Sequence, residues 1–127
     1  MENSPQARFR KALDKLRRNV TDIQAVILVG PEGVVDRVVE DATLDIETIV
    51  GEYITLLRIA RSASEDSGAG NLVENIVISE RSIMIARNIS PEHYLILLSR
   101  SQDQIGRARY ELKQAAWVIS GTVISEL

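Results

Sequence analysis

The sequence predicts an α+β fold: a three-layer α/β/α sandwich around a five-stranded antiparallel sheet, in the element order α-β-β-α-β-β-β-α. Three observations predict it. Five short runs carry apolar residues at strand spacing. The runs 22–30 and 93–99 are apolar on both faces, so helices must cover the sheet on both sides. Turn residues fold neighbouring runs back within a few positions, which makes those neighbours antiparallel. Three segments of helical period flank the runs. The middle one, from Leu44 to about Ser64, holds an apolar arc of roughly 220°, about twice what one sheet face needs.

Ser4-Pro5 is a helix start, a hydroxyl cap followed by a proline where no amide hydrogen is required. Phe9, Ala12, Leu13, Leu16 and Val20 then form one narrow stripe on a charged helix. In the first strand, Ile23, Ala25, Ile27 and Val29 are expected on one face, with Val26 and Leu28 on the other. Gly30-Pro31-Glu32-Gly33 is turn chemistry, and the second strand returns over 34–40. Asp41 and Thr43 are read as caps of the long helix, which ends before Gly68 in the small, polar run 62–71. Three strands follow, over 72–80, 82–88 and 93–99, with 89–92 as a loop. The last helix is expected to start at Ser101, with Asp103 in its first turn. Its core stripe is Ile105, Ala108, Leu112, Ala115, Ala116, Ile119 and Val123, and a second line at sevenfold spacing holds Tyr110, Trp117 and Ile124.

Composition narrows the function classes. The chain has 127 residues, no cysteine and a net charge of −3. Disulfides, thiolate metal sites and cysteine nucleophiles are therefore excluded. No apolar run reaches the ~20 residues of a membrane span, so the default compartment is cytoplasmic and no membrane insertion is expected. Charge is uneven. The first twenty residues hold six basic against two acidic side chains, a net of +4, leaving −7 for the rest. Aromatic residues do not interleave with these cations, so no nucleic acid is expected as a partner.

The catalytic inventory is nearly empty, and no enzyme activity is expected. His93 is the only histidine, at the head of a strand, and reads as a strand-end residue rather than a base. No phosphate-cradling loop motif is present. Asp36, Glu40, Asp41 and Asp45 crowd one region without the spacing of a cation-binding loop, and they read as solvated charge. No catalytic residue, cofactor site or metal site is assigned.

Several stretches together resemble one family. They are the hairpin VILVGPEGVVDRVVE, the helix opening TLDIETI, the three-strand block NLVENIVISERSIMIARNISPEHYLILLSR and the helix start QDQIGRARYEL. With Gly33 in the turn and Gly106 early in the last helix, they are similar to the roadblock/dynein light chain family, which includes bacterial gliding-motility regulators. The resemblance covers roughly residues 6–126 and implies a single domain over 5–127 after a short tail, 1–4.

What the resemblance implies goes further than the spacing. Roadblock domains pair by joining sheet edges, here through the third strand, and set their long helices side by side. That paired face is where a Ras-like small GTPase docks. The expected dimer interface is Ile49, Val50, Tyr53, Ile54, Leu56, Val73, Ile76 and Val77. Within the long helix the sheet-facing centre is expected around Ile46, Tyr53, Leu57 and Ala60. The seam is then expected at one of two flanks, Val50/Ile54 or Leu56/Ile59/Ala63. Glu47, Gly51, Thr55, Arg58 and Ser62 are expected to meet the GTPase. Tyr110, Trp117 and Ile124 are not marks of the family; their line on the last helix reads either as an exposed second partner patch or, for Trp117, as partial burial against the first helix. The function implied is a homodimeric module, self-associating and non-enzymatic, that adjusts the nucleotide cycle of a small GTPase. The alternative is a structural adaptor or scaffold subunit with no effect on GTP turnover.

Overall fold

Helix α1 (Pro5–Asn19) begins as its sequence dictates: Ser4 accepts the Ala7 amide at 3.1 Å, and Pro5 occupies the first turn. The structure, a computed structural model, describes residues 4–126, with side chains through Gly121. Strands β1 (Ile23–Gly30) and β2 (Gly33–Val39) follow as a hairpin, then α2 (Ile46–Asp66), β3 (Glu74–Ile78), β4 (Ile83–Ser90), β5 (His93–Ser99) and α3 (Ile105–Glu126). The five strands form one antiparallel sheet in the order β2-β1-β5-β4-β3. The expected element order and architecture are those observed.

Two cores lie on opposite faces of the sheet. On one, Phe9, Leu13 and Leu16 of α1 and Leu112 and Ile119 of α3 pack on Val26, Leu28, Ile85, Leu95 and Leu97. On the other, α2 alone sits over Ala25, Ile27, Met84, Ala86, Ile96 and Leu98. The apolar faces of β1 and β5 are thus used twice, as their continuous hydrophobicity requires.

Four local expectations need correction. Ile23 joins Val26 and Leu28 rather than Ala25, because the pairing of β1 with β5 slips by one residue between Ile23 and Ala25. Such a bulge moves a side chain to the other face without any change in composition. The α2 cap is Asp45, which accepts the Thr48 amide at 3.2 Å and the Thr48 hydroxyl at 2.9 Å. Asp41 instead closes the preceding turn on the Thr43 amide. Strand β4 runs on through Ser90 to a tight turn at Pro91-Glu92, where a loop from residue 89 was expected. Finally, α3 starts at Ile105. Ser101 accepts the Asp103 amide at 3.2 Å in a local turn, so Asp103 lies ahead of the helix.

The β1–β2 turn uses Gly33 at φ +116°, a conformation glycine adopts at no steric cost. Among the described residues no helix is long and apolar enough to cross a membrane.

Candidate functional site

Helix α2 is 21 residues long, yet only Ile46, Val50 and Leu57 are buried. Leu44, Ile49, Tyr53 and Ile54 pack partly against the same core. The sheet-facing line is therefore Ile46-Val50-Leu57, rotated by about 30° from the expected centre at Ile46, Tyr53, Leu57 and Ala60. Val50 is spent on the chain's own sheet, and Ile54 largely so. The apolar flank that meets solvent is the other one: Leu56 is 37% exposed and Ile59 64%, with Ala63 one turn further on.

The orientation of this flank follows from an ion pair. Arg37 on β2 meets Glu47 at 2.7 Å, which places the Glu47 side of α2 toward the β2 edge. Leu56 and Ile59 lie on the opposite side of the helical wheel and so face the β3 edge. Strand β3 pairs only with β4, so its outer edge has no strand beside it.

The two sheet edges differ in how they are defended. Strand β2 carries Asp36 and Arg37, and its register breaks between Leu28 and Val29, opposite Val35. Charge and a bulge both discourage pairing. Strand β3 pairs with β4 without a register shift. Its one charged residue, Glu74, is held by Arg87 of β4 at 3.1 Å and by Arg109 of α3 at 2.6 Å. Val77 packs partly against the α2 core, and Ile76 against the α1/α3 core on the other face. Val73 precedes β3 and is exposed, as is Ile78 at its end. Ile59 belongs to the second of the two flanks expected from the sequence, whereas Ile78 lies outside the expected seam residues. Strand alternation from Ile76 was the available signal for Ile78.

Glu47, Gly51, Thr55, Arg58 and Ser62 form one exposed stripe along α2, about 22 Å from end to end. The Thr55 hydroxyl donates to the Gly51 carbonyl at 3.0 Å. A Cβ added at Gly51 would meet nothing within 4 Å, so the chain's own packing does not require glycine there. Tyr53, half-buried on the β3 side, has its phenol pushed above the usual range by desolvation.

The acidic cluster ahead of α2 is occupied by its own neighbours. Asp36 pairs with Arg10 at 2.6 Å, Glu40 with Arg17 at 3.3 Å, and Asp41 with Arg100. Among the described residues no group of three His, Asp or Glu side chains is placed to hold a metal ion. The hydroxyl and then the amide of Thr43 hold the Asp41 carboxyl below the usual value of 3.8, with Gln24 and Arg100 adding to this. Thr48 does the same for Asp45. Both folded values are depressed, so the stabilisation is complete above pH ~3.8 and is lost as pH falls through the folded values. An acid titration followed by far-ultraviolet circular dichroism should show α2 signal falling below that point. Asp45→Asn, which keeps a cap but cannot titrate, should flatten this limb.

His93 accepts or donates to Ser90 at 2.8 Å within the β4–β5 turn. On the far side of the sheet, Tyr110 and Trp117 stand out on α3, while the Ile124 side chain lies outside the described residues.

Neither a family model nor a curated protein matches this sequence. Solved structures do. The chain is 30% identical to MglC from Myxococcus xanthus over 90% of its own length and 98% of that chain, with a TM-score of 0.63. It is 11% identical to Myxococcus xanthus MglB over 100% of this chain and 96% of that one, with a TM-score of 0.88. A Roadblock/LC7 domain from Streptomyces avermitilis is 14% identical over 90% and 96% of the two chains, with a TM-score of 0.77. The last two likenesses speak to fold alone.

Proposed function

This chain belongs to the roadblock-domain family, of the gliding-motility regulator type, and from that premise we propose that it is a homodimeric, non-enzymatic module that docks a Ras-like small GTPase. The observation that carries the reading is the outer face of α2. It pairs an exposed apolar flank, Leu56 and Ile59, with an exposed polar stripe, Glu47 to Ser62, beside an unpaired strand edge. Joining two β3 edges would continue the sheet and bring two α2 helices together along that apolar flank. The polar stripes would then frame one shared docking face.

Such a module acts by differential affinity. Whichever nucleotide state of the GTPase it binds better becomes more populated. Stimulation of hydrolysis, on this reading, comes from ordering the GTPase's own catalytic residues. The test is calorimetric binding of Ras-like GTPases from the same organism, loaded with GDP or with a non-hydrolysable GTP analogue. Hydrolysis and exchange rates are then measured at saturation. A state-dependent affinity with a changed rate is expected. Equal affinity for both states with unchanged rates would leave the adaptor reading instead.

Gly51 gives a second check. Glycine inside a helix costs about 1 kcal/mol relative to alanine, and nothing in this chain offsets that. Gly51→Ala should therefore raise the unfolding free energy of the protein by about 0.5–1 kcal/mol in urea titrations. Gly51→Trp should leave the fold intact and weaken GTPase binding, because it fills the close approach the glycine leaves open.

A further inference from the structure

We propose that the groove between α1 and α3, on the face of the sheet opposite α2, binds an acidic amphipathic helix of a partner protein. The groove is a hollow of about 280 Å³ with Ala12, Leu16 and Ala115 in its floor. Trp117 forms its outer lip, 80% exposed, and is the chain's only tryptophan. An indole left that far in water is the kind of side chain that anchors interfaces.

Charge identifies the occupant. Arg8, Lys11 and Lys15 line the wall of the groove. They are spaced i, i+3 and i+7, one stripe of about 10 Å along α1. None of them forms an ion pair with a described residue, whereas Arg10 and Arg17 of the same helix are taken up by Asp36 and by Asp14 and Glu40. The one carboxylate lining the groove, Glu111, is already engaged by Arg107 at 3.2 Å and by the Asn19 amide at 3.2 Å. A chain of net charge −3 thus keeps three cations that no described carboxylate neutralises beside an apolar floor and an exposed indole.

A helix with acidic residues at i, i+3 or i+4, and i+7 would meet the three cations. Its apolar side would cover the floor and pack on Trp117. The cations line a concave wall rather than a flat surface, and Asp14, Asp36 and Glu40 lie on the neighbouring side of α1. Both features disfavour an anionic bilayer, which would meet those carboxylates too. The site is separate from the α2 face, and its test does not depend on any GTPase.

The full chain is immobilised and a display library of helical peptides, varied at apolar and charged positions, is selected on it. Enrichment of Asp or Glu at the three matching positions around apolar residues is expected. Titrating a selected peptide should shift Trp117 emission to the blue. Lys11→Glu with Lys15→Glu, and separately Trp117→Ala, should each weaken that peptide by about tenfold or more, with circular dichroism unchanged. Selection without acidic enrichment, or an affinity unmoved by both variants, overturns the proposal. So does a Trp117 shift seen only with phosphatidylserine vesicles and lost on charge reversal, which would make the surface a lipid-binding one.

Discussion

For the proposed homodimer, a chain carrying Leu56→Asp and Ile59→Asp is expected to sediment as a monomer and the unaltered chain as a dimer at the same concentration, with the circular dichroism spectrum of the variant retained. Both side chains already face solvent within one chain, at 37% and 64% exposure, so the isolated fold does not depend on them. At a seam between two α2 helices, each aspartate would lose water next to the same charge on its copy. Burying unpaired charge costs several kcal/mol, enough to separate an interface of modest size. Sedimentation velocity over a concentration series is the measurement. A variant that stays dimeric would move the seam away from this flank, to the β2 edge or to the far side of α2.

One position along, Leu57→Ala should behave in the opposite way. Leu57 is fully buried in the core beneath α2, and removing its branch leaves a cavity. The expected loss is about 2–5 kcal/mol, a large share of the ~5–15 kcal/mol that holds a domain together. The loss should be concentrated on α2, because only Ile46 and Val50 share its buried line. Urea unfolding in the Leu56→Asp, Ile59→Asp background keeps association out of the measured value. Neighbouring residues on one helix thus separate folding from assembly.

Element order, the layers and the antiparallel sheet were legible because hydrophobic period is their physical cause. Strands apolar on both faces demand helices on both, and short turns demand antiparallel neighbours. What periodicity could not show was phase. A single extra residue near Gln24 moves Ile23 to the other face, and no side-chain pattern announces it. Asp41 and Asp45 are equally good caps by residue type, and only the backbone geometry at Thr48 chooses between them. The same limit applied to the candidate site. The polar stripe from Glu47 to Ser62 could be read from spacing alone. Which apolar flank meets solvent could not, since that depends on a helix rotation of about 30°. Trp117 shows the limit at its sharpest: on the wheel it was as compatible with burial against α1 as with the solvent position it occupies.

Glu74 adds a constraint on assembly. It lies directly across from Arg87 in the β3–β4 pairing and also receives Arg109 from α3, so three elements meet on one carboxylate at the first residue of the edge strand. Sliding β3 by one residue would turn Ile76 and Val77 to each other's faces. Sliding it by two would keep the faces but tear Glu74 from both arginines. The strand is therefore pinned lengthwise as well as paired. Two copies meeting along this edge would each present an already fixed sequence of hydrogen-bonding groups, so neither would have to order its strand at the moment of contact.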